Sequence, residues 1–149
     1  MIILLFSFTS FLDYFKIGMP YKVLKPGYSK DSNVVLAITY IEIKKDSPDL
    51  SKFWDHVFSI HKNMGENPGV LGVSIRKTIF SSKAWTMTVW ENESYLENFV
   101  ESERHRTAMR EGRSAIVKTK FYRTTKKFSE LPISWDVAEA LVEKEGVEY

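Results

Sequence analysis

The side chains of this sequence that can do chemistry near neutral pH are few: three histidines, His56, His61 and His105, and no cysteine. Imidazole titrates close to pH 7, so each ring is a candidate proton acceptor or hydrogen-bond partner. Without cysteine there are no disulfides, no thiolate nucleophile and none of the usual structural zinc sites. His56 and His61 are five residues apart and so lie on different faces of a helix, unlike the i, i+4 pair of a zincin. No histidine–carboxylate cluster has recognisable ligand spacing, and no metal is expected. A phosphate-binding glycine loop and a Gly-x-Ser-x-Gly elbow are also missing.

His105 sits in the stretch "VWENESYLENFVESERHRTAM", Val89 to Met109. At about 100° per residue, Leu96, Phe99 and Val100 share one helical stripe, and His105, Ala108, Met109 and Gly112 share another, turned roughly half a circle away. One straight helix cannot bury both. Ser102 lies between them, a favoured N-cap, with Glu103 following in the first turn where the helix dipole favours a carboxylate. The spacing therefore predicts two helices, Glu93–Glu101 and Glu103–Arg113, with the break resetting the register so that His105 faces inward. There it serves either as a general base or substrate hydrogen-bond partner, or as a core histidine bonded to a carbonyl and holding the kink. A continuous helix would leave it in water. His61 falls on the stripe Leu50, Phe53, Trp54, Val57, His61 and Met64, and faces either the same pocket or the core; His56 is off that stripe and is expected to be exposed.

The elements that must position these residues follow from pattern. "VVLAITYIEIK" (34–44), "VLGVSIRKTIF" (70–80), "AWTMTVWE" (84–91) and "SAIVKTKFYRTT" (114–125) read as strands. A helix starts after Asp49, a plausible N-cap, and stops at "GENPG"; a last helix begins after Ser134 and ends at Gly146. The order is β-α-β-β-α-β plus a C-terminal helix. That implies an α+β fold, a ferredoxin-like four-stranded antiparallel sheet with both main helices on one face. Strands one and three are apolar on both faces, whereas a sheet with helices on one side should have one wet face. A partner sheet from a second copy is the expected cover, making a homodimer through the sheet face.

With 149 residues, 44% hydrophobic and 27% charged, the chain has the length and balance of one globular domain. A net charge of +2 makes no demand for nucleic acid or an anionic membrane. The absence of cysteine suits the cytoplasm, which is the expected location. Residues 1–18, "MIILLFSFTSFLDYFKIG", differ in character from the rest of the chain. The apolar run is short for a membrane span and lacks the features of a cleaved signal. Met19-Pro20 is read as the start of the fold proper, and the leader as not native to it. A hydrophobic arm that packs on a partner is the second reading, and an export or anchoring segment the third. Residues 19–33 read as an extended loop leading into a domain at 34–125, with a C-terminal tail and helix at 126–149.

The stretch from Thr88 to Met109 resembles the antibiotic-biosynthesis-monooxygenase-like proteins, a branch of the dimeric α+β barrel superfamily. Shared features are a strand ending Val-Trp-Glu, an acidic helix with aliphatic and Phe positions, and Ser-x-x-His-x-x-Ala/Met, here Ser102, His105 and Ala108. By element order the resemblance extends from Val34 to Thr125. It implies a dimer whose two sheets form a barrel, and a pocket between sheet and helices in each protomer. Relatives include cofactor-independent quinone-forming oxygenases and haem-degrading enzymes. The haem degraders carry tryptophan and histidine on the second helix, where this chain has Phe99 and Met109, so haem is not expected and no cofactor is assigned. The resemblance makes His105 the catalytic candidate. Trp90, Phe99, Met109 and His61 are the substrate-binding candidates, for a small aromatic or delocalised compound. The alternative is a non-catalytic barrel that binds a small hydrophobic ligand or serves as a scaffold. "KTKFYRTTKK" (118–127) interleaves basic and aromatic residues as single-strand binders do. A strand with one wet face and a basic tail explains it as well, and neither nucleic acid nor membrane is an expected partner.

Overall fold

The structure, a computed structural model, describes residues 12–149. Four long strands carry the fold: β3 (Asn33–Ile43), β4 (Val70–Thr78), β5 (Lys83–Trp90) and β6 (Ile116–Lys127). Three short ones decorate its edges, β1 (Lys16–Gly18), β2 (Lys22–Val23) and β7 (Val147–Glu148). The order is β1-β4-β5-β3-β6-β7, with β2 also pairing β4, and all pairs are antiparallel. Helix α1 (Leu50–Lys62) joins β3 to β4; α2 (Glu93–Glu101) and α3 (Glu103–Gly112) join β5 to β6; α4 (Trp135–Glu145) follows β6. The expected ferredoxin-like α+β arrangement is present.

Alternation along β3 sorts the core into two layers. Val35 and Ala37 point toward α1, α2 and α3, where Met64, Val70, Val73, Trp90 and Leu96 complete a buried cluster. Val34, Leu36 and Ile38 point the other way, together with Leu71, Trp85, Met87 and Val89. The strand pattern predicts that another copy of the chain covers this second face. Within the single chain, this face already has cover. Ala138 and Val142 of α4 are buried in the same cluster, flanked by Tyr21, Tyr28, Phe128, Leu131 and Trp135. The chain's own tail and lead-in loop close the face.

The part of the leader that is described belongs to the sheet: Lys16, Ile17 and Gly18 pair with Thr78, Lys77 and Arg76. Lys16 also reaches Glu139 on α4 at 2.5 Å. Residues 1–11 lie outside the described residues, and with them most of the leader reading. Among the described residues no helix is long and apolar enough to cross a membrane.

Close approach calls for glycine at positions 69 and 72. Gly69, at φ 76°, turns the chain into β4, and a Cβ there would stand 2.2 Å from the Tyr95 ring. Gly72 lies under Tyr21, whose hydroxyl would be 1.9 Å from a Cβ. That hydroxyl is buried without a partner, and desolvation pushes its pKa up to about 12. Asp49 takes the position before α1, but its side chain accepts a hydrogen bond from Ser114 Oγ and caps nothing. The basic run on β6 is engaged within the chain. Lys118 meets Glu148, Lys120 donates to the Glu143 carbonyl, and Arg123 meets Glu93 and Glu97.

Candidate functional site

Between the sheet and helices α1–α3 lies a cavity of about 410 Å³. Its floor is the helix-side face of the sheet. Thr39 stands opposite Thr86 across the β3–β5 pair and opposite Phe121 across β3–β6. Phe53, Val57, Ile60 and His61 of α1 form one wall; Leu96, Phe99, His105, Ala108 and Met109 form the other. Glu97, Met109 and Tyr149 are the exposed members of the lining and mark its opening.

His105 is placed by the break at Ser102. The serine leaves helical geometry at φ −58°, ψ 148°, and its Oγ accepts the His105 backbone N–H at 3.3 Å. With the register reset, the His105 ring packs 5.0 Å from Phe99, centroid to centroid, and Phe99 lies 5.1 Å from Trp90. His105 Nδ1 is 3.0 Å from the Val100 carbonyl oxygen, one of the acceptors that the last turn of α2 leaves without an intrahelical donor. A carbonyl only accepts, so Nδ1 carries the proton and the neutral ring's lone pair is on Nε2. Burial pushes the His105 pKa down, more than the bond to Val100 pushes it up. The site therefore holds a neutral imidazole, with one nitrogen anchored and the other a base, against an apolar wall.

The other sequence candidates are distributed unevenly. Phe99 and Met109 line the cavity. Trp90 does not: it is fully buried behind Phe99, with its Nε1–H donated to Thr88 Oγ1 at 2.9 Å. This corrects its assignment as a ligand contact. As the last residue of β5 it points to the helix layer, but beneath α2, where it supports Phe99. His61 lines the cavity, yet its Nε2 is enclosed by protein without a partner, and desolvation, then Lys22, lowers its pKa. His56, expected in solvent, is instead partly buried. It lines the cavity and donates from Nε2 to Glu111 Oε2 on α3 at 2.8 Å. That hydrogen bond, helped by Lys52, holds the Glu111 carboxyl below its usual range.

Sequence reasoning missed Thr39 and Thr86, which the alternation of β3 and β5 could have placed on the floor. It also missed Arg123, which donates from Nη1 to Glu93 Oε2 at 2.8 Å and to Glu97, tying β6 to α2 at the cavity's edge. Tyr149 was missed as well. No pattern within the C-terminal segment signals that its last residue reaches a cavity on the far side of the sheet. Among the described residues, no group of three or more histidines, aspartates or glutamates is placed to hold a metal ion.

No family model matches the sequence, and no curated protein matches it at a significant level. Solved structures do match. A candidate antibiotic biosynthesis monooxygenase from Bacteroides thetaiotaomicron superposes with a TM-score of 0.58 at 13% identity, covering 71% of this chain and 100% of that one. SnoaB, a cofactor-independent oxygenase from Streptomyces nogalater, gives 0.53 at 8% identity, over 63% of this chain and 93% of that one. A candidate monooxygenase from Lactobacillus acidophilus gives 0.53 at 16% identity, over 67% of this chain and 49% of that one. The present chain thus spans about half the length of that last protein. The chain shares its fold with these solved structures.

Proposed function

We propose that this protein is a monooxygenase acting on a small aromatic or otherwise delocalised compound, with no bound cofactor and with His105 as the proton acceptor. The observation that carries the reading is the placement of His105: its Nδ1 lies 3.0 Å from the Val100 carbonyl oxygen, which leaves Nε2 as the basic nitrogen of a neutral ring, in a cavity lined by Phe99, Leu96 and Met109. A neutral base held in an apolar site can take an acidic proton from a bound substrate. The resulting anion, delocalised over the substrate's ring system, is electron-rich enough to reduce dioxygen. For an activated CH2 carbon the overall change is CH2 + O2 → C=O + H2O, so the substrate supplies all four electrons and one oxygen atom leaves as water. The apolar walls limit the anion's contact with bulk water. The threonine hydroxyls of the floor are available to orient a substrate oxygen.

Oxygen uptake against a panel of quinols and polyphenols tests this. Substrate-dependent consumption that is lost in His105→Ala is the expected result. The alternative, a binding protein without turnover, is favoured by the Val100 bond, because that bond gives His105 a structural duty. It predicts tight binding of the same compounds with no oxygen consumed.

A further inference from the structure

The chain's last segment passes from one face of the sheet to the other. Helix α4 packs on the face opposite the cavity, through Ala138 and Val142. The chain then forms β7, which pairs with the outer edge of β6 as Lys120 opposite Glu148 and Phe121 opposite Val147. Tyr149 continues that strand: its backbone N–H donates to the Thr119 carbonyl at 3.0 Å. Phe121 and Thr119 both line the cavity, and so does Tyr149, which is 80% exposed. An aromatic residue is therefore held by its backbone at the cavity opening while most of its surface remains uncovered. Met109, also 45% exposed, is the other large apolar residue at the opening.

We propose that Tyr149 is a ligand-binding residue of this cavity, its ring covering the outer end of a flat apolar ligand whose inner end lies against Phe99 and His105. The C-terminal segment is then part of the site as well as cover for the opposite sheet face. The proposal rests on reading the cavity as the ligand site. The backbone is anchored and the ring itself is rigid, so only two side-chain torsions need ordering when a ligand arrives. An aromatic contact of this kind contributes about 0.5–1.5 kcal/mol beyond its area, which is roughly a two- to tenfold change in affinity.

The test is fluorescence titration of the full chain with N-phenyl-1-naphthylamine, an uncharged apolar aromatic probe, in four forms: unaltered, Tyr149→Ala, Tyr149→Phe and Ala108→Phe. The last narrows the cavity from its α3 wall. Tyr149→Ala should weaken binding about two- to tenfold at unchanged melting temperature, Tyr149→Phe should restore it, and Ala108→Phe should abolish it. If Ala108→Phe abolishes binding but Tyr149→Ala binds as the unaltered chain does, the cavity remains the ligand site and the Tyr149 proposal fails. If the unaltered chain does not bind the probe, or Ala108→Phe binds it equally well, the cavity reading itself fails and takes the proposal with it.

Discussion

The ring of His105 has two duties, its Nδ1 bonded to the Val100 carbonyl and the ring itself lining the cavity. Replacement by alanine removes both, and the two losses differ in size. Loss of a general base typically costs about 10²–10⁴ in rate. Loss of one buried hydrogen bond with a small cavity costs a few kcal/mol at most. Rate and melting temperature measured on His105→Ala should therefore show a large first effect and a small second one; a destabilised variant with normal turnover would make the residue structural only. The pH dependence has a definite sign. Burial depresses the pKa of His105 in the folded protein, so the unfolded chain binds its proton first as pH falls. The contribution to stability is complete above the unfolded value of about 6.5. It is lost progressively as pH falls from there to the folded pKa, below which both states are protonated. Oxygen consumption should fall only below the folded pKa, so its acid limb is expected at lower pH than that of an unperturbed histidine. A limb above about pH 6.5 would contradict the desolvated site. At this scale the sequence was informative where register decided the outcome, as at His105 and Phe99. It was misleading where a second layer of packing decided it. Trp90 has the right face but the wrong depth, and a stripe within one helix carries no trace of Glu111 on another, which draws His56 out of solvent.

Among the elements, the break between α2 and α3 has the largest consequence, and it was legible because two stripes in conflicting registers cannot both be buried by one helix. Ser102 gives the physical means: its Oγ caps α3 through the His105 N–H, and its own N–H donates to Phe99 O at 3.1 Å. Ser102→Ala should lower stability by about 1 kcal/mol, the usual cost of a lost N-cap. It should lower turnover by more than that loss of folded protein explains, since the cap bond fixes the residue that carries the base. Equal losses in the two measurements would show that Ser102 positions nothing. Ser134, which caps α4 by accepting the Val137 N–H at 3.3 Å, is the natural control. It has the same cap chemistry, and Ser134→Ala should cost stability without touching the cavity walls. The short strands were not legible. A strand of two or three residues has no measurable alternation, and β1, β2 and β7 exist because a neighbouring edge offers unpaired backbone groups.

For the whole molecule, the two-sided apolar sheet was legible as needing cover, and within the chain α4 supplies cover. The demand is local to the strands and so visible in their alternation. The supplier depends on where residues 128–134 lead the chain, which alternation does not encode. With α4 docked, Leu36, Ile38 and Met87 are fully buried. Each such side chain contributes about 1.5–3 kcal/mol that would be forfeited on exposure. The ion pairs of Glu139 with Lys16 at 2.5 Å and with Arg76 at 3.1 Å add fixed points at the helix flank. A homodimer through this face accordingly requires α4 to leave it. Ending the chain after Glu130 should uncover Leu36, Ile38, Trp85, Met87 and Val89 together, an apolar patch that a lone domain in water does not leave bare. Light scattering should then report a dimer or larger species for the shortened chain, while the full chain does not associate through the sheet. A shortened chain that stays monomeric with an unchanged melting temperature would mean that α4 contributes little to the second layer. A full chain that dimerises, with the α4 amides exchanging faster in the dimer, would mean that α4 yields its place to a second copy.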